Sequence, residues 1–175
     1  KFNKKIPVVF GGGIFDKKDI EHYLSLGLSG VQMATRFVAT KECDASDAFK
    51  NMYVKAKEGD VTIVQSPVHM PGRALLNPFV KAFRQHRIPV TNCFHCLKTC
   101  DPATTPYCIS MALIRAVRGD VDHGLVFSGA NSWKIDKITT VHDLMQELTQ
   151  DPVDETIPTD ASDKTIPVEQ VKKQA

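Results

Sequence analysis

The chain of 175 residues lacks any apolar run approaching the roughly 20 residues that a membrane-crossing helix needs, so no membrane partner is expected. Neither sign of charge dominates. Lys and Arg number 22 against 20 Asp and Glu, the net charge is +2, and aromatic residues make up only 7%. With no basic run to track phosphates, nucleic acid is a poor partner. The five cysteines are odd in number and argue against a disulfide framework. Lys1 to Lys5 lead directly into an apolar segment with no cleavage pattern, and a cytoplasmic location is expected. What remains is an ordinary globular composition, 42% hydrophobic and 24% charged, sufficient for one well-cored domain plus a tail.

The most informative stretch is Ile6-Pro-Val-Val-Phe-Gly-Gly-Gly-Ile14, followed by a helical pattern and then by Gly30-Val-Gln-Met-Ala-Thr-Arg-Phe37. A continuous apolar run reads as a parallel strand covered on both faces. Gly11, Gly12 and Gly13 then allow backbone amides to approach an anion, and a helix opening near Asp16 directs its positive end the same way. Tight strand-to-helix packing alone would also accommodate such glycines. No third glycine stands three residues after Gly13, which excludes the Rossmann fingerprint, and no Gly-Lys-Ser/Thr follows, which excludes a Walker loop. At the end of the second strand, the Thr35 hydroxyl and amide suit the same anion. Arg36 fits either that anion or an acidic partner on the rim.

Further along, Asp16 is expected to cap a helix with Ile20, Tyr23 and Leu24 on one face, stopping at Gly27. Asp44 or Ser46 opens a second helix carrying Phe49, Met52, Tyr53 and Ala56. Residues 61–64 read as a third strand. Ser66 to Ala74, broken by Pro67, Pro71 and Gly72, reads as a loop, and 75–85 as a helix. A cysteine-bearing connector over 92–108 precedes a helix over 110–118. An extended segment at 124–131 ends in a turn, and Thr140 caps a last helix with Val141, Leu144, Met145 and Leu148 on one face. Residues 151–175, rich in Pro, Asp, Thr and Lys, read as a flexible tail.

Taken in order, Gly11-Gly-Gly-Ile14, Gly30 to Phe37, Thr40-Lys-Glu-Cys43, Pro71-Gly-Arg-Ala74, Pro106-Tyr-Cys-Ile109 and Gly124 to Asn131 resemble the C-terminal half of nitronate monooxygenases, formerly 2-nitropropane dioxygenases. That superfamily also holds flavin-dependent enoyl-acyl-carrier-protein reductases and NAD(P)H:quinone reductases. The resemblance spans roughly residues 6–150. It implies an α/β fold: the C-terminal part of a (β/α)8 TIM barrel over 1–65, then a mostly helical extension over 66–150. A complete barrel needs about 250 residues, so an N-terminal half is expected elsewhere, or else a homo-oligomer. The implied cofactor is FMN, its phosphate held by backbone amides of Gly11, Gly12, Gly13, Ala34 and Thr35. Family members usually carry glycine at the Ala34 and His69 positions. The family's catalytic histidine lies upstream, and none of His22, His69, His86, His95, His123 or His142 matches it. No catalytic residue is therefore expected in this chain, which should be inactive alone. Asn131 and Trp133 are weaker candidates near the active-site mouth.

The implied reaction is oxidative denitrification of an alkyl nitronate with O2, on a small-molecule substrate. An NAD(P)H-dependent flavin reductase of quinones or enoyl thioesters is the alternative within the class. A non-catalytic metal-binding or interaction module is the alternative outside it. Cys93, Cys96, Cys100 and Cys108, with His95 beside them, are numerous enough to hold zinc or an iron–sulfur cluster. Their spacing fits neither a zinc ribbon nor a ferredoxin run, and no metal site is expected.

Overall fold

A computed structural model describes residues 6–150; the expected flexible tail at 151–175 lies outside the described residues, as do residues 1–5. Strand β1 (Val9–Gly11) pairs in parallel with β2 (Gly30–Gln32), Phe10 lying opposite Val31. Helix α1 (Lys17–Ser25) connects them. Asp16 caps it by accepting from the Asp19 amide at 3.0 Å, and the Asp19 carboxylate accepts from the Phe15 amide at 2.8 Å. The apolar run before Gly11 was expected to be covered on both faces. Instead Val8 and Val9 are 54% and 59% exposed. Their strand has one neighbour, β2, and among the described residues no strand covers its other edge.

Beyond β2 the chain turns at once into the short α2 (Thr35–Val38) and then α3 (Asp47–Val54), capped by Ser46. Strand β3 (Val61–Gln65) pairs antiparallel with β4 (Pro71–Leu75), Gln65 opposite Pro71. The expected loop over 66–74 is thus only a tight turn. Pro71 stands at the first position of its strand, where a missing amide is tolerated. Helix α4 (Pro78–Gln85) begins later than expected, because Leu75 belongs to β4 and Asn77 caps the helix. Helix α5 (Ile109–Val117), a single 3-10 turn (Ser132–Lys134) and α6 (Val141–Thr149) complete the elements, with Thr140 capping α6.

The result is a mixed α/β structure. The described strands form one parallel pair and one hairpin, not a closed barrel. Two apolar clusters hold it together. One joins Phe49 and Tyr53 of α3 to Leu75, Ala116, Val126 and Ile135; the other joins Val64, Ala74, Phe79, Val80, Tyr107, Ala112 and Leu125. Segment 124–128 runs through both and is laid along β4: the Leu75 amide donates to the Val126 carbonyl at 2.9 Å, and the Ser128 amide to Arg73 at 2.9 Å. The buried Asn77 amide group fixes its start through the Val121 and Gly124 carbonyls. Tyr53 fixes its end by donating to the Phe127 carbonyl at 2.6 Å. This anchoring delivers residues 129–132 to the two turns after β1 and β2.

Candidate functional site

Those three segments enclose a pocket of about 140 Å3, lined by Gly12, Gly13, Ile14, Gln32, Ala34, Thr35, Arg36 and residues 129–132. Of the residues singled out from sequence, Gly12, Gly13, Ala34, Thr35 and Asn131 meet there. Gly11 stays at the end of β1 and Trp133 is half-buried nearby; neither lines the pocket.

Gly12 and Gly13 adopt φ of +100° and +74°, conformations that side chains disfavour. A Cβ at either would meet nothing within 4 Å, so backbone conformation and not crowding calls for glycine. Among the described residues, the amides of Gly13, Ile14, Ala34 and Thr35 donate to no group of the chain, whereas Gly12 directly follows the last ladder pair, Gly11 with Gln32. Ala34 has a φ of −130°, which its methyl group tolerates. Helix α1 contributes less than its position suggested. Its first turn is already capped by Asp16 and Asp19, whose carboxylates place negative charge at that end.

The third segment braces the other two. The Gly129 amide donates to the Thr35 hydroxyl oxygen at 3.0 Å, leaving the hydroxyl proton for another acceptor. The Asn131 side-chain amide donates to the Gly13 carbonyl at 2.5 Å. Arg36 takes the rim role: its guanidinium makes a bidentate pair with Glu147 at 2.9 and 2.7 Å, donates to the Phe15 carbonyl and lies 4.2 Å from the Phe15 ring centre. The pocket thus presents neutral donors, its one cation being paired. Ser132 is 1% exposed, and its hydroxyl is buried with no hydrogen-bond partner. Such a group ordinarily costs about 1–3 kcal/mol, and it lines this pocket. A volume of about 140 Å3 admits an anionic group but falls below the roughly 300–1,000 Å3 of a complete small-molecule site. One end of a larger ligand fits.

The family model described as nitronate monooxygenase matches residues 3–151. The chain belongs to the nitronate monooxygenase family. Its members are oxidoreductases. Among curated relatives, a probable nitronate monooxygenase from Staphylococcus saprophyticus is 33% identical over 81 residues, 46% of this chain and 23% of that protein. A probable nitronate monooxygenase from Staphylococcus aureus is 31% identical over the same shares. The matched stretch is therefore less than a quarter of either relative. Among solved structures, FabK from Thermotoga maritima superposes with a TM-score of 0.65 at 28% identity, over 83% of this chain and 43% of that one. Nitroalkane oxidase from Streptomyces ansochromogenes, at 20% identity and a TM-score of 0.61, over 83% of this chain and 39% of that one, shares the fold.

A second cavity of about 620 Å3 lies between the β3–β4 turn and the connector, and shares no lining residue with the first. Gln65, Ser66, His69, Cys100, Asp101 and Thr105 border it. The Asp101 carboxyl is held below the usual carboxylate range, first by the Ala103 amide and then by the Thr104 hydroxyl. His69 adopts a φ of +61°, in the left-handed region that favours glycine. The four connector cysteines, all free thiols, line a small neighbouring cavity together with His95. Among the described residues, no three His, Cys, Asp or Glu side chains are grouped so as to hold a metal ion. No described helix is long and apolar enough to cross a membrane.

Sequence reasoning missed Gly129 and Ser132. A Gly-Ala turn after an apolar segment was a signal for the first. Nothing local marks Ser132, because its distinction is burial without a partner.

Proposed function

We propose that this chain is the C-terminal portion of an FMN-dependent oxidoreductase and that the turn pocket holds the FMN phosphate. Gly12 and Gly13, Ala34 and Thr35 supply backbone amides, the Thr35 hydroxyl adds a donor, and Gly11 sets the start of the first turn. The observation that carries this reading is the convergence of unpaired amides from two βα turns on one small pocket beside a buried, unpartnered hydroxyl. Bound flavin supplies the redox centre that takes an electron pair from substrate. This chain's own residues anchor one end of it. By this reading, the base and the flavin-ring pocket come from residues outside the chain, so the chain alone is inactive and works with an N-terminal half.

The first choice of reaction is oxidative denitrification of alkyl nitronates with O2, supported by family membership and by the curated relatives' names. The second, an NAD(P)H-dependent flavin reductase acting on an enoyl thioester or quinone, is favoured by the likeness to FabK. Anaerobic mixing of the flavin-bound protein with nitronate, NADH or NADPH separates them. Nitronate-driven bleaching is expected. Bleaching by NAD(P)H without nitronate turnover would overturn the first choice in favour of the second. A protein that binds riboflavin as tightly as FMN would refute the phosphate assignment itself.

A further inference from the structure

The two turns account for amide donors on two sides of the pocket, yet the third side is also built. Residues 129–132 close it, and there the Ala130 and Asn131 amides donate to no group among the described residues. The same segment carries Ser132, whose buried hydroxyl has neither donor nor acceptor in the chain. Its position is fixed from both sides: its own amide donates to the Gly129 carbonyl at 3.3 Å, and its carbonyl accepts from the Ile135 amide at 3.0 Å. A hydroxyl held in place, removed from water and left unpaired is what a ligand-directed donor looks like before its ligand arrives.

Resting on the phosphate reading above, we propose that Ser132 is a third-side ligand, donating its hydroxyl to the phosphate in the turn pocket, and that Asn131 is a positioning residue acting through the Gly13 carbonyl. The chemistry is that of a phosphomonoester end met by neutral donors from three distant segments. The pocket's one cation, Arg36, is tied to Glu147 and does not serve as the counter-charge. Recognition then depends on hydrogen-bond geometry, and binding weakens little with added salt compared with an arginine-bound phosphate. Asn131 keeps Gly13 at its φ of +74° by gripping that residue's carbonyl, so the first turn's amides stay aimed into the pocket.

The test is the split between two flavins that differ only in the phosphate. Dissociation constants for FMN and riboflavin are measured by fluorescence on the flavin-binding protein, for wild type, Ser132→Ala and Asn131→Ala. Ser132→Ala is expected to weaken FMN about tenfold, leave riboflavin unchanged, and leave the apo-protein at least as thermostable as wild type. Asn131→Ala is expected to show the same FMN-selective loss. An FMN affinity equal to wild type in Ser132→Ala, or an equal loss for both flavins, overturns the Ser132 role while leaving the two-turn site intact. A wild type without preference for FMN overturns both.

Discussion

The Gly129 amide donates to the Thr35 hydroxyl at 3.0 Å, joining positions 94 residues apart in sequence. That bond fastens the segment laid along β4 to the turn after β2. Only glycine fits at this contact, because a Cβ on residue 129 would stand 2.8 Å from the Thr35 hydroxyl oxygen. Gly129→Ala is expected to destabilise the fold by about 1–3 kcal/mol through overpacking and to lower the affinity for FMN. Thr35→Val, which keeps the shape and removes the acceptor, should lose affinity with less destabilisation. Denaturant melts paired with flavin titrations check both. A Gly129→Ala protein with wild-type stability would show that the contact opens freely.

The hairpin core makes a claim about alkaline pH. Burial pushes the Tyr107 hydroxyl up to about 12 from the ordinary tyrosine value of 10.0, and it donates to the Gln65 carbonyl at 3.0 Å. Burial, with the Cys43 charge second, raises Tyr53 further. A raised folded-state pKa means that the unfolded chain loses its proton first. Stability from Tyr107 is therefore complete below pH 10 and is lost as the pH climbs through about 12, and that from Tyr53 persists to higher pH. Tyr107→Phe should cost about 1 kcal/mol at neutral pH by removing a hydrogen bond, and its melts should fall less steeply across that alkaline window. A slope unchanged from wild type would mean that Tyr107 does not carry the effect.

How far the sequence revealed this fold depends on how local each signal is. Asp16 and Thr140, and Ser46 as one of two candidates with Asp44, were legible as helix caps because a side-chain oxygen and a following periodic face are all a cap requires, and each of the three accepts from the amide three residues on. The two turns around Gly12 and Thr35 were legible for the same reason. The β3–β4 hairpin was not. Pro67, Pro71 and Gly72 signal a break in a local window, whereas pairing of Gln65 with Pro71 is decided by the partner strand. The exposure of Val8 and Val9 is not written in the apolar run itself, which does not say whether its covering layer is present; only the expectation of half a barrel with open edges and an exposed apolar face pointed to it. Ser132 escaped because burial without a partner is a property of three dimensions.

At the hairpin turn, His69 holds a φ of +61°, with its amide donating to the Ser66 carbonyl at 2.9 Å. A side chain in the left-handed region costs roughly 1–2 kcal/mol, and the greater freedom of glycine in the unfolded chain offsets about 0.4–1 kcal/mol of any relief. His69→Gly should therefore raise stability by about 0.5 kcal/mol, while His69→Val, branched at Cβ, should lower it. Thermal melts of the two variants check the sign. Stabilisation by valine would mean that the turn relaxes out of the left-handed region and that backbone conformation does not set the preference.

The free side of β1 leads to the last expectation. A two-stranded sheet is marginal in water by itself, and here Val8, Val9 and Leu26 are 54%, 59% and 65% exposed around it. An apolar strand with an unpaired edge is a template for another strand. In the reading proposed above, that strand and its covering helices come from the N-terminal half. Without that half, copies of this chain should pair with one another, giving a mass above the monomer in light scattering. Val9→Lys places a charge on the exposed face and should shift the protein towards monomer without altering the turn pocket on the far side of Gly11. Adding the N-terminal half should have the same effect on wild type by covering the edge. A wild-type chain that stays monomeric at high concentration would mean that the exposed edge is tolerated as it stands, and the argument for a missing covering layer would fail with it.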